Sequence, residues 1–439
     1  MKQAVILAGG KGTRLKEVSG DLPKPMVPVL GTPLLECLIE QCVRYDILDI
    51  KLLVSFKREV IEGYFGDGSD FGVSIQYIVE EVPRGTAGAL IDALPELDEH
   101  FLVIYGDTFF DIDLGAFWEF HQDHGGDVSI FLHPNDHPYD SDLVEVNSDF
   151  LVHKIHPYPH DLQWRQNLVN AAIYIFNKNA LKKIELDLGK PDISKELFPL
   201  MLESEKKLYG YISTEYIKDM GTPKRLSKVE LDINTGKVKS LKRQTPKVAI
   251  FLDRDGTINQ EVNHLSNHEQ FKLIDGVGDA ICKINSAGLL AVVVTNQPVI
   301  ARGELKESEL KVIHNKMDTL LGLQGAYIDR LYYCPHHTDS GFEGEIEVLK
   351  FDCDCRKPKT GMFVQAKNEL NILLDKSWVV GDSTGDIFAA KNAGMKSVLV
   401  QTGHGGKDGV FEVTPDFFAE NLCQAIEFIL EEIEHYDCE

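Results

Sequence analysis

The sequence predicts an α/β protein with two domains, each a doubly wound, mostly parallel β-sheet. At 439 residues the chain is long enough to bury two or three separate hydrophobic cores. Short apolar or β-branched runs alternate with helical patterns in both halves, as βαβ units require. Residues 232–247, DINTGKVKSLKRQTPK, interrupt this alternation with polar and turn-forming residues, which is typical of a domain boundary.

The first half carries strand-like runs such as AVILAG, DIKLLVSF, VSIQYIVE and HFLVIYGD, separated by helical patterns such as PLLECLIEQCVRY. Residues 128–176 are richer in strand-like runs. A second alternation begins with KVAIFLD and continues through LLAVVVTN, RLYYC, KSWVVGD and KSVLVQTG. We therefore predict a first domain over residues 1–235, a linker over 236–246 and a second domain over 247–439.

Composition narrows the class of protein. Hydrophobic residues make up 43% and charged residues 26%, and no apolar run approaches the length of a membrane span. The N-terminus has no signal-peptide pattern, so we expect a cytoplasmic protein. A net charge of -24 argues against binding to nucleic acid or to an anionic membrane. The helical pattern NLCQAIEFILEEIEH near the C-terminus leaves open whether the chain forms a homo-oligomer.

The first candidate site is a glycine-rich loop, LAGGKGTRL at residues 7–15, after the first predicted strand. Its three glycines let the backbone approach a phosphate closely and direct N–H groups at it. Lys11 and Arg14 add positive charge, and the Arg14 guanidinium suits a bidentate contact with phosphate oxygens. A glycine-rich turn alone also fits an ordinary strand-to-helix connection, but the interleaved basic residues favour phosphate binding.

Three further features follow along the first half. Lys24 stands between two prolines that stiffen its presentation. Asp107 ends the strand-like run IYGD, and Asp219 lies in IKDMGT. Residues 80–90, EEVPRGTAGAL, bring another glycine loop to the start of a helical pattern.

In this order the motifs resemble those of the sugar-1-phosphate nucleotidyltransferases, over about residues 1–235. The resemblance implies a Rossmann-like domain in which Lys11 and Arg14 hold the phosphates of a nucleoside triphosphate. Lys24 would neutralise charge where a sugar phosphate attacks, and Asp107 and Asp219 would hold Mg²⁺. The nucleotide-binding residues that it implies are Leu7, Gly9, Gly10, Lys11, Gly12, Thr13, Arg14, Glu80 and Gly85.

Three residues bear on substrate choice in this half. A carboxylate at Glu80 can accept hydrogen bonds from the N1–H and N2 amino groups of guanine, which favours GTP; the alternative is a solvated Glu80. The resemblance puts Lys154 near the sugar phosphate and Asn170 near the sugar, with Ala172 where glycine is common. A strand-end or capping role is the alternative for Asn170. A regulatory domain without turnover is the alternative for the whole half.

The second candidate site begins in FLDRDGTIN, where Asp253 and Asp255 follow a strand-like run. Buried carboxylates at a strand end are costly unless a metal or a reaction needs them. Their spacing of two aims both side chains to one side of a strand, so one can attack phosphorus while the other transfers a proton. Asp382 and Asp386 follow another such run in VVGDSTGD, and carboxylates suit Mg²⁺.

Two more motifs complete this set. Thr295 and Asn296 end the run VVVTN with donors for a phosphoryl group, and CRKPKTGM supplies Arg356 and Lys357. The order of the motifs resembles that of haloacid-dehalogenase-type (HAD) phosphatases, which implies a HAD-like Rossmannoid domain. The resemblance implies that Asp253 is a nucleophile forming an aspartyl-phosphate and that Asp255 is the general acid and base. It assigns the phosphoryl group to Thr295 and Lys357, and Mg²⁺ to Asp253, Asp382 and the carbonyl of Asp255.

The eight cysteines are unevenly spread, and three of them cluster with a histidine. Cys334 and His336 form a Cys-x-His pair, and Cys353 and Cys355 form a Cys-x-Cys pair. Three thiolates and one imidazole make a closed tetrahedral zinc site, which predicts a structural Zn²⁺ that pins a long loop. His337 is the adjacent alternative ligand, and buried or incidental thiols are the alternative to a metal.

With DRDGTIN and CRKP, the cysteine cluster resembles the heptose-1,7-bisphosphate 7-phosphatase and histidinol-phosphatase group, over about residues 246–435. Pro298 and Val299 stand where that group usually has Ser-Gly, which removes a hydroxyl and a backbone N–H near the phosphate pocket. Arg302 is a candidate contact for a distal substrate phosphate; the alternative is a surface charge.

The two resemblances connect, because a heptose bisphosphate that loses its 7-phosphate becomes a sugar 1-phosphate. The chain is therefore similar to a bifunctional enzyme that makes GDP-D-glycero-α-D-manno-heptose, with GTP as substrate. Another sugar, such as a mannose or glucose 1-phosphate, another nucleotide, or histidinol phosphate for the second half stays open. So does a non-catalytic sensing role for one half.

Overall fold

The structure of the chain is a computed structural model that describes residues 1–10, 20–161, 163–182, 184, 186 and 189–437. Four predicted nucleotide-binding residues, Lys11, Gly12, Thr13 and Arg14, lie outside the described residues. In the part of the chain that is described, no helix is both long and apolar enough to cross a membrane.

The chain divides into two compact units. The first comprises Met1–His133, Asp140–His160 and Leu168–Lys242, and the second comprises Pro134–Tyr139, Asp161–Asn167 and Arg243–Glu439. The segment predicted as a linker, residues 236–246, contains a short helix, Lys237–Ser240.

The first unit is built from strands and helices in alternation. Its strands are β1 (Gln3–Leu7), β2 (Pro28–Val29), β3 (Thr32–Pro33), β4 (Asp49–Val54), β5 (Ser74–Val79), β6 (His100–Tyr105), β7 (Thr108–Asp111), β8 (Val128–His133), β9 (Leu143–Val146), β10 (Val152–His156), β11 (Val169–Asn177), β12 (Leu208–Ile212) and β13 (Tyr216–Asp219). Its helices are α1 (Leu34–Arg44), α2 (Arg58–Phe65), α3 (Gly85–Ala93), α4 (Leu114–His124), α5 (Lys178–Leu181), α6 (Phe198–Glu203), α7 (Pro223–Asn234) and α8 (Lys237–Ser240).

Nine of these strands form one mixed sheet. Its main path runs β10-β9-β11-β6-β1-β4-β5, and β8 and β12 join it through β11. Strands β6, β1, β4 and β5 are parallel, whereas β11 runs antiparallel to β6, β8 and β9. The antiparallel part comes from the strand-rich region 128–176. β1 and β6 are apolar and almost wholly buried, as expected for parallel strands covered on both faces.

The second unit has a simpler sheet. Its strands are β14 (Ala249–Leu252), β15 (Leu290–Asn296), β16 (Arg330–Cys334), β17 (Trp378–Gly381), β18 (Lys396–Val400) and β19 (Phe417–Ala419). Its helices are α9 (Val277–Ser286), α10 (Glu307–Gly322), α11 (Gly361–Leu370), α12 (Thr384–Asn392) and α13 (Leu422–Asp437). The strand order is β16-β15-β14-β17-β18-β19, and every pair is parallel.

The order of the second sheet reverses at β14, the first strand of the unit. Open α/β sheets bind ligands at the carboxyl ends of the strands beside such a switch point. Ile250 and Leu252 of β14 lie in the hydrophobic core with Val293 of β15 and Val380 of β17, so the strands that meet there are rigidly packed. The predicted α/β class with two domains is confirmed.

We expect Leu102→Ala to lower the free energy of unfolding of the first unit by about 2–5 kcal/mol, because Leu102 is fully buried in β6. Leu231→Ala on α7 is the matched control, since this leucine is 53% exposed; its effect should stay within about 0.5 kcal/mol. Denaturant unfolding followed by circular dichroism measures both. Equal effects of the two substitutions would contradict a central position for β6.

Candidate active sites

A cavity of about 330 Å³ lies at the carboxyl ends of the parallel strands of the first unit. The loops after β1, β5 and β6 and the first turn of α3 line it, which is the edge where α/β sheets hold ligands. The predicted site residues that line this cavity are Leu7, Gly9, Gly10, Lys24, Glu80, Gly85 and Asp107.

Glu80 lies against the glycine loop. A Cβ added to Gly9 would come within 3.3 Å of Glu80 Oε2, and Glu80 Oε1 accepts a hydrogen bond from Arg84 N at 3.1 Å. Burial raises the pKa of the Glu80 carboxyl. Glu80 is therefore part of the cavity wall, which favours base recognition over the solvated alternative.

Gly85 is a position that only glycine suits. Its φ is +73°, and a Cβ there would lie 2.5 Å from the carbonyl oxygen of Pro191. Because a side chain would collide with backbone, glycine is what lets α3 begin against residues 190–191 beside the cavity.

The predicted magnesium ligands of the first unit come from neighbouring strands. Asp107 lies in the turn between β6 and β7, and Asp219 ends β13 opposite Thr108 of β7. The Met220 N–H donates to the Asp107 carbonyl at 2.8 Å, which ties the two positions together. Asp107 lines the cavity, and with the carboxylate of Asp219 it would offer oxygen donors of the kind that Mg²⁺ prefers.

Both of these carboxylates already have a cationic partner. Lys24 forms a close ion pair with Asp107, and Arg225 forms one with Asp219. Arg225 also contacts Asp140 Oδ2 at 3.1 Å. A metal bound to Asp107 and Asp219 would therefore displace Lys24 and Arg225 from these carboxylates. The two displaced cations would then be able to contact phosphate. Sequence patterns assigned no role to Arg225.

The other two predicted sugar-site residues are not among the described residues that line the cavity. Lys154 is exposed on β10, at the end of the sheet path. The Asn170 amide bonds locally, donating to Ser194 Oγ at 3.2 Å and accepting from Ala172 N at 3.0 Å. Ala172 has a φ of +58° in an irregular part of β11, a conformation that explains why glycine suits this position. These contacts fit the strand-end alternative for Asn170.

In the second unit, three neighbouring parallel strands deliver side chains to one edge. Asp253 directly follows β14, Thr295 lies in the last residues of β15, and Asp382 directly follows β17. Asp253 N donates to the carbonyl of Val380 in β17 at 2.9 Å, so the sheet ladder continues up to the candidate nucleophile.

Lys357 holds this edge together from a loop. Its buried Nζ lies 2.6 Å from Asp253 Oδ1, 2.6 Å from Asp386 Oδ1 and 2.7 Å from the carbonyl of Val294. Burial disfavours the ammonium, but the two carboxylates outweigh it and raise the pKa of Lys357. The Asn296 amide both donates to and accepts from the Lys357 backbone at 3.0 Å. The structure therefore gives Asn296 a part in holding Lys357.

Asp253, Asp382 and Asp386 form a buried acidic cluster whose carboxylate oxygens lie within 4.8 Å of one another. Burial, then the Asp253 and Asp386 charges, raises the pKa of Asp382 to about 8, and burial also raises the pKa of Asp253. Both shifts mean that burial and the neighbouring negative charges destabilise the ionised carboxylates more than the Lys357 charge stabilises Asp253 and the His404 N–H stabilises Asp382. A divalent cation would supply the missing positive charge, and hard oxygen ligands are those that Mg²⁺ prefers.

Two glycines shape the space around Asp382. A Cβ added to Gly256 or to Gly403 would lie 2.3 Å or 2.1 Å from Asp382 Oδ2, and both residues have positive φ. The His404 N–H donates to the same oxygen at 2.6 Å. The Asp382 carboxylate thus fits between two backbone segments that must carry no side chain at these points.

Asp255 lies outside the acidic cluster and has its own partners. Its carboxylate accepts hydrogen bonds from Arg254, Asn259 and Gln297. Burial opposes ionisation, but the Arg254 charge and these hydrogen bonds lower the pKa of Asp255. Gln297 also donates to Thr295 Oγ1 at 2.8 Å, which links the two predicted catalytic residues.

The predicted zinc ligands converge. One donor atom from each of Cys334, His336, Cys353 and Cys355 lies within 4.8 Å of the others. The Sγ atom of Cys355 lies 3.2 Å from Cys334 Sγ and 3.2 Å from Cys353 Sγ, and both distances are too long for a disulfide bond. His336 completes this cluster. The alternative ligand, His337, instead contacts Arg302 at 3.2 Å. A Cys₃His set of this compactness fits a closed zinc site.

Arg302 is not a free surface charge. Its guanidinium lies 2.6 Å from His264 Nε2 and sits 4.6 Å above the centroid of the Phe342 ring. Arg356 donates to the His336 carbonyl at 3.3 Å. Burial lowers the pKa of His337, and the charges of Arg356 and Arg302 lower it further. Arg302, from the segment after β15, and Arg356, beside the cysteine cluster, therefore both contact residues of the loop that the cluster pins.

The Pro298–Val299 departure has a structural explanation. Val299 is buried in the hydrophobic core of the second unit, and the Pro298 carbonyl accepts from Arg302 N at 3.0 Å. The valine therefore packs into the core.

Some residues of the second site had no role assigned from the sequence. Asp386 was visible as a second acid in VVGDSTGD, and Gln297 directly follows the Thr-Asn pair. Gly403 carries no comparable signal, because it meets Gly256 and Asp382 only through the fold.

Two family models match the chain. The nucleotidyl transferase model matches residues 3–236, just over half of the chain. The HAD-hydrolase-like model matches residues 354–425, within the second unit.

Three of the relatives found each match one half of the chain. The D-glycero-beta-D-manno-heptose-1,7-bisphosphate 7-phosphatase of Pasteurella multocida (strain Pm70) is 47% identical over 158 residues, which is 36% of this chain and 83% of that protein. The mannose-1-phosphate guanylyltransferase of Mycobacterium tuberculosis is 33% identical over 235 residues, 53% of this chain and 65% of that protein. A crystal structure of D,D-heptose 1.7-bisphosphate phosphatase from B. bronchiseptica, complexed with magnesium and phosphate, is 32% identical and covers 42% of this chain and 99% of that one, with a TM-score of 0.38.

The match to the first family spans β1 to α7, and the match to the phosphatases covers most of their length. The chain is thus a fusion that belongs to the nucleotidyl transferase family through its first half and to the HAD-type D-glycero-beta-D-manno-heptose-1,7-bisphosphate 7-phosphatases through its second half.

Proposed function

We propose that the chain is a bifunctional enzyme of nucleotide-activated heptose synthesis. Its second unit removes the 7-phosphate of D-glycero-D-manno-heptose 1,7-bisphosphate, and its first unit transfers a guanylyl group from GTP to the resulting heptose 1-phosphate. The products are phosphate, pyrophosphate and GDP-heptose. The observation that carries the proposal is the Asp253–Lys357–Asp386 arrangement in a unit 47% identical to a heptose bisphosphate phosphatase.

Phosphate removal proceeds in two displacements. In the first, an Asp253 oxygen attacks phosphorus and the bond between phosphorus and the C7 oxygen breaks. The protonated form of Asp255 gives its proton to that oxygen and becomes the carboxylate that Arg254, Asn259 and Gln297 hold. In the second, water attacks the aspartyl-phosphate and loses its proton to Asp255, which releases phosphate and regenerates the Asp253 carboxylate. Lys357 contacts the nucleophile, and Thr295 lies at the end of the neighbouring strand β15; we assign both as donors to the phosphoryl oxygens.

Asp253, Asp382 and the carbonyl of Asp255 would hold Mg²⁺ here, with Asp386 as the further carboxylate of the cluster. Bound Mg²⁺ would neutralise phosphoryl oxygens and bring the phosphate against the Asp253 carboxylate. Lys357 limits the negative charge of the same site, since it already pairs with two of the three carboxylates.

A second phosphate on the substrate is consistent with two cations, Arg302 and Arg356, that contact the loop pinned by the cysteine cluster. Arg302 is held by His264 and Phe342, and Arg356 is held by the His336 carbonyl. Guanidinium groups fixed in this way suit a bidentate contact with phosphate oxygens. We assign them to the 1-phosphate of the heptose bisphosphate.

Guanylyl transfer needs two anions to meet in line. An oxygen of the sugar phosphate attacks the α-phosphorus of GTP, and the bond to the β-phosphate oxygen breaks to release pyrophosphate. Lys24 stands in the cavity to offset the charge of the meeting phosphates, Glu80 faces the guanine, and Asp107 and Asp219 would hold Mg²⁺. The roles of Lys11 and Arg14 follow from the family resemblance, as do the sugar-site roles of Lys154 and Asn170.

Mannose 1-phosphate is a second candidate acceptor for the first unit. It is favoured by the 33% identity to a mannose-1-phosphate guanylyltransferase. The heptose acceptor is preferred because it is the product of the reaction assigned to the second unit, and linkage on one chain keeps both sites at the same concentration.

The overall reaction is tested by incubating the protein with GTP, Mg²⁺ and either anomer of D-glycero-D-manno-heptose 1,7-bisphosphate. We expect release of phosphate followed by pyrophosphate and formation of GDP-heptose, measured by coupled assays and mass spectrometry. Mannose 1-phosphate with GTP serves as the competing arm. Phosphate release without pyrophosphate, with ATP, CTP and UTP failing as well, would rule out the consecutive pathway.

The two half-reactions are expected to be separable. Asp253→Asn should reduce phosphate release by at least about 1,000-fold, because it removes the nucleophile, and leave guanylyl transfer to heptose 1-phosphate unchanged. Lys24→Ala should reduce guanylyl transfer by about 100- to 1,000-fold and leave phosphate release unchanged. Each variant is the control for the other. If either substitution left its own half-reaction intact, the site assignment would be wrong.

Zinc content tests the cysteine cluster. We expect about one Zn²⁺ per chain by atomic emission, and loss of most of it in Cys355→Ser together with a lower unfolding temperature of the second unit. Cys282→Ser is the matched control, because Cys282 is also in the second unit but outside the cluster. Equal zinc content in the two variants would show that the cluster does not hold the metal.

A further inference from the structure

Arg254 is a fully buried cation next to the candidate nucleophile, with 0% of its surface exposed. A guanidinium is costly to bury unless its charge and its N–H groups find partners. Its side chain has partners in three directions: the carboxylate of Asp255, the amide of Gln297 and the ring of His314. The family resemblance assigns no role to this set.

The first direction fixes the plane of the Asp255 carboxylate. Arg254 Nη2 lies 2.9 Å from Oδ1 and 2.7 Å from Oδ2 of Asp255. Asn259 Nδ2 donates to Oδ1 at 3.0 Å, and Gln297 Nε2 donates to Oδ2 at 2.9 Å. Each carboxylate oxygen therefore accepts hydrogen bonds from two residues, and rotation of the group would break several of these bonds at once.

Gln297 is itself held by Arg254. Its Oε1 accepts from Arg254 Nη2 at 3.0 Å, which leaves its Nε2 free to donate towards Asp255 and Thr295. Arg254 thus orients the Asp255 carboxylate directly and through Gln297.

The third direction reaches helix α10. Arg254 Nη1 lies 3.1 Å from His314 Nε2. Because a guanidinium only donates, Nε2 must carry the lone pair, and the ring proton is on Nδ1. Burial and the Arg254 charge lower the pKa of His314, which agrees with a neutral ring. His314 therefore acts as a fixed acceptor that sets the position of Arg254.

We propose that Arg254 and His314 are positioning residues for proton transfer by Asp255, an inference that rests on the phosphatase function proposed above. Neither residue needs to touch the substrate. In the first displacement the bond between phosphorus and the C7 oxygen breaks and the Asp255 proton passes to that oxygen. The product of this transfer is an ionised Asp255, which is the form that Arg254, Asn259 and Gln297 hold.

This role predicts a dependence on the leaving group. An alkoxide such as the C7 oxygen of a heptose needs a proton as it departs, whereas p-nitrophenolate is stable as an anion and leaves without one. A defect in positioning Asp255 should therefore slow the first displacement of an alkyl phosphate much more than that of p-nitrophenyl phosphate. A general loss of structure would slow both equally.

The test compares His314→Leu with His314→Gln in the full-length protein. The leucine removes the acceptor, whereas the glutamine side chain can bring an oxygen to about the position of Nε2. We expect His314→Leu to lower kcat/KM, which reports the first displacement, for heptose 1,7-bisphosphate by about 10- to 100-fold, with kcat/KM for p-nitrophenyl phosphate changed less than about threefold. His314→Gln should recover most of the loss. Arg254→Lys and Arg254→Met form a second pair with the same expected order.

Equal losses on the two substrates, or no loss with His314→Leu and Arg254→Met, would overturn the inference. Zinc content and thermal unfolding of each variant report whether the second unit is folded. The unsubstituted protein distinguishes failure of the proposed phosphatase function from failure of the positioning inference. If the phosphatase function is wrong, this protein releases no phosphate from the heptose bisphosphate.

Discussion

The second unit depends on one electrostatic constraint, the burial of three carboxylates at the end of a parallel sheet. Asp253, Asp382 and Asp386 repel one another in a place that water does not screen. The Lys357 ammonium, 2.6 Å from two of them, offsets part of this cost. The negative charge that remains destabilises the folded state, and it favours binding of a divalent cation such as Mg²⁺. The bound cation would in turn attract phosphate.

The first unit meets a related constraint with separate ion pairs. Lys24 pairs with Asp107 in the wall of a cavity that several glycines line, and Arg225 pairs with Asp219 at the end of β13. The chain as a whole carries a net charge of -24, so a site for phosphates must gather its cations locally. In both units the cationic side chains pair with carboxylates that would also be metal ligands. Binding of a metal to these carboxylates would therefore free positive charge to contact the substrate.

Much of the fold could be predicted because buried parallel strands are read as continuous apolar runs. KVAIFLD became β14 and VVVTN became the end of β15. The antiparallel pairing of β8 to β11 could not be predicted, since strand direction depends on partners far away in the chain. Lys154 and Asn170 show a related limit for the site: their residue types suggested sugar contacts, but the place of each side chain depends on how β10 and β11 join the sheet, and neither is among the described residues that line the cavity.

The sequence by itself determined the chemistry available: two aspartates after an apolar run, a lysine in CRKP, a glycine loop, and three cysteines with a histidine. These are local signals, because a motif carries its own residue types and spacing. Only the tertiary structure decided that Asp386 shares Lys357 with Asp253, that His336 rather than His337 joins the cysteines, and that His314 supports Arg254. Such choices depend on distances between residues far apart in the chain, and those distances are set by the strand order and by the packing of helices on the sheet.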